Sequence, residues 1–245
     1  MQFPEPRTRR REFLGQLAGV AVALTGTACA TGQGSSPGAG ARPTIGPGDA
    51  RPVPSRTAAP ATAFDDSWTA RLTARHKSVY DSPSINDGVA LGHASAVMNG
   101  YHAALGAPGT DLNIVIVIRH AAIPMALNDA MWDKYAFGQD LKLKDPSTGD
   151  PARRNPFYHV TASDSFAVID PEESIEALSQ RGVVLLACNM ALMGRASTLA
   201  QKTKAPVDTV RDELRANLVP GVILQPNGIY AVVRAQEMGC AVVSA

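Results

Sequence analysis

The sequence predicts an α/β domain: a mostly parallel five-stranded sheet with helices on both faces. Two observations carry the prediction. Short, uniformly apolar, β-branched runs recur along the chain, as in strands buried on both faces. Between them lie segments whose apolar residues repeat with the helical period. Strands alternating with helices imply right-handed crossovers and a parallel sheet.

The elements follow in order. Lys77–Tyr80 is the expected first strand. From Asn86 to Leu105 apolar residues fall at 89, 90, 94, 97, 98, 101, 104 and 105, a helix. Leu112–Ile118 (LNIVIVI) is the clearest buried strand. Pro124 to Tyr135 is expected to be helical. Asp170-Pro171-Glu172-Glu173 combines an Asp cap, Pro at the first position and Glu at the third, so a helix should run to Gln180. Gly182–Ala187 is the next strand, Met190–Lys202 the next helix, and Val207–Asn217 a further short one. Val222–Leu224, Gly228–Met238 and Ala241–Val243 complete the set as strand, helix and strand. Residues 136–166 are polar and aperiodic, with Pro146, Pro151 and Pro156; they read as a long loop or lid.

Ahead of this domain, Arg10-Arg11 followed by Phe13-Leu14 and a weakly apolar stretch to Thr27 resembles a twin-arginine (Tat) export signal. Ala28-Cys29-Ala30 fits a peptidase site, with a mature start near Thr31. Cys29 also fits, in part, the lipidated cysteine of a lipoprotein signal, although Gly26 stands where Leu is expected. The chain is therefore expected in the periplasm or another extracytoplasmic space, either free or tethered through Cys29. Its first partner would be the Tat translocon. Residues 31–63 hold twelve Gly or Pro in 33 positions and read as a disordered linker. The globular part is then 64–245.

The 245 residues carry 23 basic and 22 acidic side chains. Seven of the basic and three of the acidic ones precede residue 64, which leaves the domain 16 and 19, a net charge of −3. That balance speaks against nucleic-acid binding. Three cysteines are too few for a disulfide scaffold. No Walker A, GxGxxG, CxxC, HExxH or G-x-S-x-G pattern occurs, so no cofactor and no metal are expected.

Ligands of such sheets sit beyond the carboxyl ends of the strands. The residues expected there are Asp81 and Ser82, Arg119 and His120, Cys188 and Asn189, and Gln225 to Gly228, including Asn227. Cys188 is the sharpest candidate. It lies between a buried strand and a helix start, where free N–H groups and the helix dipole favour a thiolate. Arg119 and His120 are the expected binding partners, with Asn189, Asn227 and His93. Cys240 should lie at the opposite sheet edge, too far for a disulfide with Cys188. His76 is expected to be exposed. Met98, Met190 and Met193 fall at helical spacing and are expected in the core.

Four segments together resemble the DsrE/DsrF-like family of small sulfur-relay proteins. They are HKSVYDSPSINDG (His76–Gly88), IVIVIRHAAIPMAL (Ile114–Leu127), VVLLACNMAL (Val183–Leu192) and VPGVILQPNGIYAVVRAQEMGCAVVS (Val219–Ser244). The resemblance implies a flavodoxin-like sandwich, commonly a homo-oligomer. It matches Cys188 to the family cysteine that carries a persulfide, and implies a sulfur-containing small molecule or a sulfur-relay protein as partner. The family's relay members are cytoplasmic, whereas this chain carries an export signature. The sequence thus predicts a thiol-based sulfur carrier or transferase. Two alternatives stand beside it: a non-catalytic small-molecule or metal-binding module, and a subunit of an envelope redox complex.

Overall fold

The computed structural model describes residues 64–145, 147–164 and 168–245. Arg10, Arg11, Cys29 and the 31–63 linker lie outside the described residues. Five strands form one all-parallel sheet: β1 (His76–Ser82), β2 (Leu112–Ile118), β3 (Val184–Cys188), β4 (Val222–Gln225) and β5 (Ala241–Ser244). Their spatial order is β4-β3-β2-β1-β5. Among the described residues the α-helices are α1 (Val89–Leu105), α2 (Asp129–Tyr135), α3 (Phe137–Leu141), α4 (Ile175–Gln180), α5 (Asn189–Thr203), α6 (Val207–Ala216) and α7 (Gly228–Glu237).

The strand order explains which helix covers which face. From β1 to β4 each strand is added on the same side of its predecessor. The intervening helices α1, α4, α5 and α6 bury Leu91, Leu178, Leu192 and Leu214 against Tyr80, Ile116, Ile118 and Leu185. The last connection runs back across the sheet to place β5 beside β1. A right-handed crossover in that reversed direction must pass over the opposite face. There α7 packs, with Ala231 and Ala235 against Val79, Val115, Val117, Val184 and Leu186, and Trp68 fills the same layer. The result is a three-layer α/β sandwich, flavodoxin-like in its layers.

Several boundaries differ from the sequence reading. Strand β1 extends to Ser82 because it pairs with both β2 and β5, which recruits Asp81 and Ser82 despite their polarity. The capping box at Asp170 starts only a 3₁₀ turn (Pro171–Glu173); Ser174 then caps α4 by accepting the Ala177 N–H. Pro124 lies inside a 3₁₀ run, His120–Ala126, and the helix begins after Asn128, whose side chain accepts the Met131 N–H. His76 is half-buried, its ring 4.5 Å from that of Tyr101. Met98 is buried as expected, but Met190 and Met193 are exposed. Their positions on α5 lie on the helix side turned away from the sheet.

The 136–166 segment is not a simple surface excursion. Phe137, Ala152, Asn155 and Phe157 are buried. Phe137 and Phe157 flank the Trp132 ring, at 5.9 and 6.4 Å between centroids. Asn155 fastens the segment: its amide donates to the carbonyls of Met125 and Leu127, both at 2.8 Å, and its Oδ1 accepts the Phe157 N–H. All polar atoms of that buried carboxamide are thereby used.

Arg154 ties the outer part of the segment together. Its Nε donates to Asp145 at 2.9 Å and its Nη2 to Asp164 at 2.5 Å. Hydrogen bonds from Ser147 and Arg154 hold the Asp145 carboxyl well below the usual carboxylate range. Arg154 and the Thr161 N–H bring Asp164 down to about 2 from its ordinary 3.8. Lowered folded-state pKa values add stability above the unfolded value, and that stability is lost as pH falls through the folded one. The gap in urea midpoint between wild type and Arg154→Gln should therefore be full at pH 6 and shrink from about pH 4 towards pH 2. A gap that stays constant down to pH 2 would contradict this assignment.

Candidate functional site

The carboxyl edge of the sheet changes character between β3 and β4. The chain leaving β3 enters α5 on one face, and the chain leaving β4 leads to α7 on the other. Adjacent strands whose connections diverge in this way open a crevice, the usual ligand position in open α/β sheets. Cys188 and Gln225, the last residues of the two strands, pair in register there. The sequence placed both just beyond or at the strand ends, and the structure puts them at the divergence itself.

Cys188 is also the N-cap of α5. Its Sγ accepts the Ala191 N–H at 3.3 Å, so the sulfur does what a serine hydroxyl does at other caps. The cap explains its position: φ −79°, ψ 108° is extended backbone ending a strand, and α5 starts at the next residue. The thiol is 4% exposed. Cys240 is buried beside β5 at the opposite edge, and burial pushes its thiol pKa up. Both cysteines are free, as their positions require.

Arg119 follows β2, and its backbone N–H donates to Ser82 O at 3.0 Å. Its guanidinium forms a two-pronged pair with Asp81, Nε to Oδ1 at 2.5 Å and Nη2 to Oδ2 at 2.7 Å. The side chains are 14% and 20% exposed. The hydrogen bond to Asp81 raises the Arg119 pKa, burial opposes it, and Cys188 contributes in the same direction as Asp81. Asp81 offsets much of the charge, so the pair's first effect is to hold a fork of donors in a fixed place. The Arg119 stem rests on Gly228, the first residue of α7: a Cβ there would stand 2.7 Å from Arg119 Cβ and Cδ.

The other candidates divide. His120 is exposed and adopts φ 48°, a left-handed conformation uncommon for such a residue. It borders a cleft with Ala121, Ala191, Gly194, Arg195 and Thr198. Asn227 caps α7 by accepting the Tyr230 N–H at 2.8 Å, a structural use of its carboxamide. Asn189 is buried and turned to α6, where its Oδ1 accepts from Arg215 at 2.8 Å and its amide meets Met193 Sδ. His93 is exposed on α1 near Tyr80, ring centroids 6.5 Å apart, and hydrogen-bonds to neither Arg119 nor Cys188. The structure thus pairs Arg119 with Asp81, leaves Cys188 bonded to the Ala191 N–H at the same sheet edge, sets His120 on a cleft that Ala191 also lines, and commits Asn189 and Asn227 to packing and capping.

Arg195 was missing from the sequence reading. The signal was available: Ala191, Gly194, Arg195 and Thr198 follow an i, i+3, i+4, i+7 pattern, one face of α5. Among the described residues, no three His, Cys, Asp or Glu side chains gather as a metal site needs. None of the described helices is long and apolar enough to cross a membrane.

Fold and site define an α/β sandwich with a buried, helix-capping cysteine at the point where its crossovers diverge. No family model and no curated protein matches the chain.

Proposed function

We propose that the protein is an exported, thiol-based sulfur carrier in which Cys188 takes up sulfur as a persulfide. The observation that carries this reading is the placement of Cys188: at the β3/β4 divergence, capping α5 with its sulfur on the Ala191 N–H, at the sheet edge that also holds the Arg119–Asp81 pair. The Ala191 N–H fixes the sulfur at the start of α5, at the sheet edge where ligands of such folds bind. The resemblance of residues 76–88, 114–127, 183–192 and 219–244 to sulfur-relay proteins supports the same role.

The chemistry needs no further oxidant. The Cys188 thiolate attacks the outer sulfur of thiosulfate; the S–S bond of thiosulfate breaks and sulfite leaves with its electron pair. With a low-molecular-weight persulfide as donor, a thiol leaves instead. Transfer onward repeats the attack, with an acceptor thiolate taking the outer sulfur and Cys188 leaving. Arg119 orients anionic donors, and Asp81 orients Arg119. The Arg10-Arg11 signal would send the folded chain to the periplasm through the Tat translocon, with Cys29 removed or lipidated.

The test is cyanide release. Protein treated with thiosulfate or polysulfide and then desalted should yield thiocyanate with cyanide, about one equivalent per chain, and Cys188→Ser should yield none while keeping its circular dichroism. Equal release from both proteins would refute the reading. The 4% exposure of the thiol favours a second reading, a small-molecule-binding module whose cysteine only packs. That reading predicts no thiocyanate from either protein.

A further inference from the structure

We propose that the cleft lined by His120, Ala121, Ala191, Gly194, Arg195 and Thr198 binds a small tetrahedral oxyanion. Its volume is about 350 Å³, on the order of ten water volumes, enough for such an ion with part of its hydration shell. No acidic side chain lines it. Arg195 lies with its guanidinium 6.0 Å from the centre of the Phe137 ring. An arginine held against an aromatic ring keeps its planar fork of N–H donors oriented at little further loss of rotamer freedom. Among the described residues no carboxylate pairs with Arg195 and no acceptor takes its N–H groups. Most other arginines near this edge are engaged: Arg119 with Asp81, Arg215 with Asn189, Arg234 with Asp66.

The opposite wall is held in place by backbone. His120 sits at φ 48° between two fixed points, the Arg119 N–H on Ser82 O and the Ala121 N–H on Pro83 O, both at 3.0 Å. Backbone in that region persists only where the surroundings enforce it. Here the enforced turn sets the imidazole on the cleft rim. Ala121, Ala191 and Gly194 have side chains too small to fill the space between His120 and Arg195. The result is a cationic fork and an imidazole around a gap that small residues leave open, beside the Thr198 hydroxyl, which donates to Gly194 O at 3.2 Å. That combination suits sulfate, phosphate or the sulfonate end of thiosulfate.

The cleft adjoins the cysteine through one residue: Ala191 lines it, and the Ala191 N–H donates to Cys188 Sγ. The occupant that connects the two is thiosulfate, with its sulfonate end in the cleft and its outer sulfur towards Cys188. This connection rests on the sulfur-carrier reading; oxyanion binding itself does not.

Calorimetric titration of the full chain with sodium sulfate and with sodium thiosulfate, against sodium chloride at matched ionic strength, tests the proposal. Both oxyanions should bind, and Cys188→Ser should bind sulfate as wild type does. Arg195→Gln should weaken sulfate roughly ten- to hundredfold, the scale of a charged hydrogen-bond pair. If Arg195→Gln fails to fold, His120→Asn carries the same test, because Asn tolerates the left-handed backbone. No sulfate binding by wild type, or unchanged binding in the folded variant, overturns the proposal. Arg195-dependent sulfate binding without sulfur uptake from thiosulfate upholds the anion site and removes only its connection to Cys188.

Discussion

Gly138→Ala is expected to destabilise the domain by about 3 kcal/mol or more, at the upper end for overpacking. A Cβ at Gly138 would lie 2.2 Å from Ala152 O, 2.3 Å from its N and 2.8 Å from its C. These are backbone atoms, so no rotamer change relieves the collision. Retreat is blocked too. Gly138 O accepts the Leu143 N–H and Leu143 O accepts the Ala152 N–H, both at 2.9 Å, which stitches the segment together. Moving Ala152 would drag Asn155 from the Met125 and Leu127 carbonyls and Phe157 from Trp132. For a domain of this size the thermal midpoint should fall by roughly 6–12 °C, at about 2–4 °C per kcal/mol. An unchanged midpoint by circular dichroism would mean that residues 136–157 do not pack on the core as described.

Gly228→Ala is expected to act on the site as well as on stability. The new methyl would meet Arg119 Cβ and Cδ at 2.7 Å and Cγ at 3.2 Å. The near part of a side chain cannot swing aside as its tip can, so either Arg119 or the start of α7 must shift. Overpacking of this kind costs about 1–3 kcal/mol. A shift of the stem moves the guanidinium off Asp81, leaving a partly buried carboxylate without its partner. Sulfur uptake by Cys188 should fall with it, while Asn227→Ala, which only loosens the α7 cap, should lower stability by about 1 kcal/mol and spare uptake. A folded Gly228→Ala protein with wild-type uptake would show that Arg119 has no part in loading.

How much of this was legible in the sequence depends on whether the signal was local. Strand β2 was read to the residue, because six of its seven residues are buried, all but Asn113. The polar end of β1 was not, because Asp81 and Ser82 become strand only through pairing with β2 and β5. Burial of Phe137, Ala152, Asn155 and Phe157 left no trace of periodicity, since the segment carrying them repeats no element. Its latch, Asn155, depends on carbonyls 28 and 30 residues away.

At the site, the strand-end rule found Cys188 and Arg119. What it could not supply was direction. Asn189 follows Cys188 directly, yet its carboxamide is claimed by Arg215 on α6, 26 residues on. Asn227 likewise faces its own helix. Conversely Asp81, which fixes Arg119, was expected only at the same sheet edge, and became its partner once parallel pairing set β1 beside β2.

The intact mass of the protein purified from its native cells, under non-reducing conditions, tests most directly whether Cys188 carries sulfur. With thiosulfate or polysulfide the account predicts a gain of one sulfur atom, reversed by reductant and absent in Cys188→Ser. An unchanged mass in wild type under the same treatment, with the thiol intact, would contradict it.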